Sequence, residues 1–100
     1  MTISIKLVSN NKYEVTVKSK TLTTHLVTLS DEVHKNLTNE KVTKEELLDF
    51  SFKFLLDKEP NTSIMSSFEL TVISRYFSDY EKYVKNWCSS WDRFDTVKVR

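Results

Sequence analysis

The side chains best suited to metal binding or nucleophilic chemistry are those of His25, His34 and Cys88, because the 100-residue chain has two histidines and one cysteine. A zinc site takes about four ligands, so these three would need a carboxylate supplied by the fold. They also lack the C-x-x-C or H-x-x-x-H spacing that is typical of metal sites. The sequence therefore indicates no metal ligand, and His34 is expected on the solvated face of a helix.

Asp49, Lys53 and Asp57 stand four positions apart and would share one face of a helix. They could pair as an acid and a base, or they could form an ordinary solvated face. The chain has no glycine, so it lacks the glycine-dependent phosphate loop, the dinucleotide-binding turn and the nucleophile elbow. We therefore assign no catalytic residue and no cofactor.

Lys6 and Lys18 are candidates for binding a polyanion such as nucleic acid. Residues 1–29 carry four lysines and one glutamate, and these two lysines would lie on the polar face of a hairpin. The alternative is a solvated sheet face, because lysine also discourages aggregation through strand edges.

An aromatic stripe follows one side of a predicted helix near the other end of the chain. At about 100° per residue, five residues fall within a narrow sector: Tyr80, Val84, Trp87, Trp91 and Phe94. Such a stripe can be part of the core, the seam of a homodimer or a contact with another protein. Trp87 is expected in the core, whereas Trp91 and Phe94 are predicted to contact a second subunit or a partner protein.

The segment Glu59–Ser63 is polar or rigid throughout and joins two apolar stretches. Backbone N–H groups after Ser63 could receive an anion if a helix begins there. The alternative is a helix that stops at Pro60 and is followed by a capped turn.

The elements that must position these residues begin with strands. Apolar and polar residues alternate over Ile3–Leu7 and again over Tyr13–Val17, which predicts two half-buried strands. A two-residue turn between them would place the two apolar rows on opposite faces of the sheet. A three-residue loop, residues 9–11, pairs Ile5 with Val15 and keeps both rows on one face, so it is favoured. A third strand is predicted over residues 24–29.

Helix signals follow the strands. Ser30 is a predicted N-cap, and Thr43 with Glu46 forms a capping box that opens a longer helix ending near Lys58. Phe54 and Leu55 of that helix are expected to be buried. Two further starts have the same capping spacing, at residues 66–69 and at residues 78–81.

These patterns predict an α+β fold, with an N-terminal antiparallel β-meander of two to three strands packed against three to four C-terminal helices. We expect a single domain over residues 1–100, with the meander at about 3–29 and the helical part at about 30–95. No apolar run is long enough to span a bilayer, and a lone cysteine suits a reducing compartment, so a cytoplasmic protein is expected. The favoured function is non-enzymatic binding or protein interaction, with a nucleic-acid-binding module or an enzyme with an unseen site as alternatives.

Part of the chain also resembles known families. The block Ser51–Ile64 is similar to a family of small, functionally uncharacterised bacterial proteins, and the likeness continues at Phe68–Leu70, Ile73, Tyr76–Phe77 and Tyr80. That resemblance implies a shape and no activity. Residues 24–56 more distantly resemble a ribbon-helix-helix DNA-binding domain, which implies a strand that pairs with its twin in a dimer and reads bases with its outward side chains.

Overall fold

The computed structural model describes the backbone of residues 2–99 and the side chains of residues 2–89. The strands are β1 (Thr2–Ser9), β2 (Lys12–Lys18), β3 (Leu22–Thr28) and β4 (Ser67–Glu69), and the helices are α1 (Asp31–Thr38), α2 (Lys44–Lys58), α3 (Val72–Tyr76) and α4 (Tyr80–Val99), with a 3₁₀ turn at Asn61–Ser63. The fold is α+β, as predicted, with one strand more than expected. Within the described residues, no helix is both long enough and apolar enough to cross a membrane.

The four strands form one sheet in the order β1-β2-β3-β4. The first three are antiparallel, whereas β4 runs parallel to β3. The strand β4 replaces a helix that we expected to start near residue 66. It forms because Leu26 donates a backbone hydrogen bond to the Ser66 carbonyl at 2.8 Å, and Leu70 donates one to the Thr28 carbonyl at 3.0 Å.

The β1–β2 hairpin has the predicted pairing, with Ile5 opposite Val15 and Leu7 opposite Tyr13. The connection differs from a simple three-residue loop because the register shifts between Leu7 and Ser9, and Ser9 pairs with Lys12. Val8 is therefore a bulge, and this extra residue allows a two-residue turn to coexist with apolar rows on one face. Asn11 takes the left-handed conformation in the turn, with φ of 62°.

The predicted helix starts at Ser30 and Thr43 are confirmed. The Ser30 hydroxyl accepts from the Val33 N–H at 3.2 Å. The Thr43 hydroxyl accepts from the Glu46 N–H at 3.0 Å, and the Glu46 carboxylate accepts from the Thr43 N–H at 2.8 Å. Each such cap contributes about 1 kcal/mol, so these positions fix where α1 and α2 begin.

The core lies between the sheet and the helices, with α2 at its centre. Phe52 of α2 packs its ring against His25 of β3 and Phe68 of β4. Leu55 is buried, as expected, but Phe54 is only partly buried. The ring of Phe54 lies at the edge of the core, where it packs on the buried ring of Tyr80 and on two less buried rings, those of Phe77 and Tyr83.

The first half of α4 closes the core from the side of α1 and α2. Tyr80, Val84 and Cys88 are buried, and the Trp87 ring stacks on Phe50 with 4.4 Å between ring centroids. The expectation that Trp87 belongs to the core is therefore supported by its stacking on α2. Tyr80 shares a buried hydrogen bond of 2.5 Å with the Ser51 hydroxyl, and burial raises the pKa of Tyr80.

Candidate functional site

The predicted metal and catalytic residues do not come together. His25 is buried in β3, His34 contacts the Val42 carbonyl at 2.6 Å, and Cys88 is buried in α4, where desolvation raises the pKa of its thiol. Among the residues that the structure describes, no three His, Cys, Asp or Glu side chains are grouped so that they could hold a metal ion. His34 is half-buried rather than fully solvated, because its ring contacts the Val42 carbonyl in the segment before α2.

The charged row on α2 is a surface feature. Lys53 and Asp57 are exposed, and Lys53 pairs with Asp49 over 2.8 Å. The Asp49 side chain keeps 38% of its surface exposed. An exposed ion pair of this spacing contributes only a few tenths of a kcal/mol, which fits the solvated helix face rather than a catalytic pair.

Lys6 and Lys18 are exposed on the face of the sheet that points away from the core. Lys6 lies opposite Glu14, and Lys18 lies opposite Thr2. The two lysines are therefore four rows apart, or about 14 Å along the strands. Glu14 lies on the same face directly beside Lys6, so the positive charge is spread out rather than concentrated.

The predicted partner contacts, Trp91 and Phe94, lie in α4 beyond the side chains that the structure describes. Their role in contacting a second subunit or a partner protein stays a prediction.

An apolar cleft lies between the end of α2, the following loop, β4 and α3. Its volume is about 400 Å³, within the range of small-molecule and side-chain binding pockets. We call it the β4 cleft. It is lined by Leu55, Glu59, Ser63, Ile64, Met65, Phe68, Val72, Ile73, Tyr76 and Phe77.

Two large apolar side chains at the β4 cleft are exposed to solvent. Met65 is 42% exposed and Tyr76 is 69% exposed. Exposed aromatic and methionine side chains beside a pocket are typical of binding surfaces, because tyrosine adds a large rigid contact area and methionine adapts its shape to a partner. Glu59 supplies the one formal charge in the cleft lining, and no described side chain forms an ion pair with it.

The β4 cleft lies beside an unpaired strand edge. The Ser66 carbonyl and the Leu70 N–H point toward β3, where they are hydrogen-bonded. Since successive residues of a strand point their N–H and C=O groups to opposite sides, those of Ser67 and Glu69 point away from β3. Within the described part of the chain, no group donates to or accepts from them. The edge therefore offers two donors and two acceptors next to an apolar pocket.

A buried hydrogen-bond network holds the loop that forms one wall of the cleft. The Asn61 amide donates to the Thr21 carbonyl at 2.8 Å and to the Thr23 hydroxyl at 2.9 Å. The His25 ring contacts the Met65 carbonyl through Nδ1 at 2.7 Å and the Thr23 hydroxyl through Nε2 at 2.9 Å. Because a carbonyl can only accept, His25 donates from Nδ1 and its Nε2 accepts from Thr23.

Sequence reasoning found only part of this site. It singled out Glu59–Ser63, and Glu59 and Ser63 do line the cleft. The anion alternative required a helix to begin after Ser63, whereas the chain continues there into β4, and the Ile64 N–H already bonds the Asn61 carbonyl. Phe68, Val72 and Tyr76 were missed as pocket residues, since their apolar pattern resembles a continuous helix.

Comparison of the chain with protein-family models, with curated proteins and with solved structures found no match. The structure does show that β3 is paired on both sides, with β2 and with β4. It therefore lacks the free edge that a ribbon-helix-helix strand uses to pair with its twin.

Proposed function

We propose that this chain is a non-enzymatic protein-interaction domain that binds an extended segment of a partner protein. The segment pairs with the free edge of β4 as a fifth strand and places one apolar side chain in the β4 cleft. The observation that carries this proposal is the position of an apolar pocket beside backbone groups of Ser67 and Glu69 that have no partner among the described residues.

The two features serve different purposes in strand addition. Backbone hydrogen bonds to a sheet edge give affinity that is independent of sequence, and a pocket for alternate side chains gives specificity. Phe68 lies between Ser67 and Glu69, and its side chain points to the core and lines the cleft. A segment added beside β4 would therefore point every second side chain toward the same pocket.

The chemistry of the cleft indicates what the segment carries. The lining is mainly apolar, so a large apolar residue such as Leu, Met or Phe fits it. Glu59 supplies negative charge at the cleft, and Glu69 adds a second carboxylate on the strand itself. A basic residue close to the apolar anchor is therefore part of the proposed partner motif.

The cytoplasm is the proposed location, supported by the one cysteine, Cys88, which is free and buried. Membership of the uncharacterised bacterial family rests on the sequence resemblance. The nucleic-acid alternative stays a prediction, and the wide spacing of Lys6 and Lys18, with Glu14 beside Lys6, gives it less support than the cleft gives to peptide binding.

The proposal can be tested with peptides selected from a phage-displayed random library on the folded chain. Glu69→Pro should weaken the selected peptides at least about tenfold, because proline removes an outward N–H that a fifth strand would use. It spares the pairing with β3, where edge proline is tolerated. Glu69→Ala is the matched control and should retain most of the binding while the circular dichroism of all three proteins stays the same.

A second variant separates the pocket from the strand edge. Val72→Trp should fill the cleft and reduce peptide binding, whereas Tyr83→Ala removes an exposed aromatic residue outside the cleft and should not. Enrichment of peptides with an apolar residue near a basic one would support the proposed motif. Selected peptides that bind Glu69→Pro and Val72→Trp as tightly as the parent would overturn the proposal.

A further inference from the structure

The first strand leaves the opposite edge of the sheet open. Within residues 2–99, β1 pairs with β2 alone, and it is eight residues long, whereas β4 has three. A long edge strand presents a row of unsatisfied N–H and C=O groups and is a template for another strand. The two edges of this sheet therefore differ in the length of strand that they can accept.

The apolar row of β1 is incompletely covered. Ile3 and Ile5 are half-buried and Leu7 is 56% exposed. Their partners on β2 are fully inside the core: Val17, Val15 and Tyr13. All three β1 residues point to the core side of the sheet. The apolar face of the sheet is therefore not fully covered at this edge.

We propose that a second copy of this chain pairs with β1 in antiparallel orientation, about a two-fold axis at Ile5, to form an eight-stranded sheet across two subunits. The proposal concerns the edge opposite β4 and does not depend on peptide binding at the β4 cleft.

The register follows from the side-chain pattern. In antiparallel pairs, opposite residues point to the same face, so the two core faces join only when residues of the same parity pair. With the axis at Ile5, Ile3 lies opposite Leu7 of the partner subunit, and Ile5 lies opposite Ile5 of the partner subunit. The half-buried row of each subunit then covers the other, and Leu7 is no longer at a free edge.

Neighbouring registers are less favourable. An axis at Lys6 would place Lys6 directly against Lys6 of the partner subunit, and like charges that face each other across a sheet are destabilising. An axis at Ser4 would place Leu7 opposite position 1 of the partner subunit, which is outside β1. The Ile5 register places Lys6 opposite Ser4 of the partner subunit, and Lys6 stays beside Glu14 of its own sheet.

The same geometry limits the assembly to two copies. A two-fold contact uses the β1 edge of both subunits and leaves only the three-residue β4 at each outer edge. The bulge at Val8 also ends the regular part of β1, so the paired ladder extends over Ile3–Leu7 and no further.

Cysteine cross-linking tests the register directly. In a Cys88→Ala background, which removes the one native thiol, Ile5→Cys should form an intermolecular disulfide because opposite Cβ atoms lie about 4.5–5.5 Å apart. Ile3→Cys mixed with Leu7→Cys should give the mixed disulfide. Leu7→Cys alone should cross-link poorly, since the two Leu7 positions would lie four rows apart, and it serves as the matched control.

Sedimentation between about 1 μM and about 1 mM measures the association itself. We expect a monomer–dimer equilibrium that Ile5→Lys shifts to monomer, because it places two like charges on the axis. Thr24→Lys adds the same charge on the outer face of an interior strand and should leave the dimer intact. A parent that stays monomeric at the highest concentration, or equal cross-linking at Ile5 and Leu7, would overturn the proposal and leave β1 to a strand of another protein.

Discussion

Lys44 connects three segments that are distant in the sequence. Its ammonium group donates to the Asn11 side-chain oxygen at 3.0 Å and also bonds the Asp31 carboxylate. Only 15% of the Lys44 side chain is exposed, so it links the hairpin turn to the start of α1 from the first residue of α2. Such a link orients both helices against the sheet.

The pairing with Lys44 predicts a specific pH dependence. The hydrogen bond from Lys44 and then its charge hold the pKa of Asp31 below the ordinary value. Because the pKa is lower in the folded chain than in the unfolded one, the pair stabilises the fold above about pH 4, and this contribution is lost as pH falls through the folded-state pKa. Lys44→Met should raise the Asp31 pKa toward the ordinary range of a carboxyl group and remove that loss.

Carboxyl-carbon NMR titration of Asp31 measures this effect. Lys53→Met is the control, since it breaks the exposed pair with Asp49 and leaves the Asp31 contact in place. An unchanged Asp31 titration in Lys44→Met would show that the contact does not set the pKa.

At the scale of elements, the features that depend on residues close together in the chain could be predicted from the sequence. The alternation in β1 and β2, the Ser30 cap and the Thr43–Glu46 box each involve residues within a few positions of one another. β4 was not predicted because its three residues contain one apolar side chain, Phe68, which is too few to show an alternating pattern. It is a strand only because β3, about forty positions away, supplies the hydrogen-bond partners, and the cleft beside it depends on that same distant pairing.

The loop between α2 and β4 should be sensitive to one side chain, Asn61. Asn61 is buried and makes the two hydrogen bonds that tie the loop to the chain at Thr21 and Thr23. Asn61→Ala removes both donors, so the Thr21 carbonyl and the Thr23 hydroxyl each lose one hydrogen bond, at a cost of about 0.5–1.5 kcal/mol per bond. Hydrogen exchange at Ser63 and Ile64 should accelerate, because their N–H groups bond within the same turn.

Urea denaturation and residue-resolved hydrogen exchange test this expectation. Thr62→Ala changes the neighbouring exposed residue and should alter neither the unfolding free energy nor the exchange by a comparable amount. Equal effects of the two substitutions would mean that the network does not hold the cleft wall.

At the scale of the whole molecule, the core and the candidate site share residues. Leu48 of α2 is fully buried, whereas Leu55, two turns later, is buried on the core side and also lines the β4 cleft. A protein that binds through such a cleft keeps part of its core surface accessible. The cleft residues therefore contribute less packing than enclosed residues of the same size.

This difference leads to a measurable contrast between two leucine truncations. Leu48→Ala and Leu55→Ala should each cost about 2–5 kcal/mol, as truncations of buried leucine do, and the cost rises with the volume of the enclosed cavity left behind. The void at position 48 is enclosed, while the void at position 55 joins an open cleft of about 400 Å³. Leu48→Ala should therefore lie nearer the upper end of the range and Leu55→Ala nearer the lower end, as measured by urea denaturation with unchanged slopes.

Leu55→Ala should also bind an environment-sensitive apolar dye more strongly than the parent, because it enlarges an accessible apolar surface. A larger stability loss for Leu55→Ala than for Leu48→Ala would show that the cleft is closed in solution and that position 55 belongs wholly to the core.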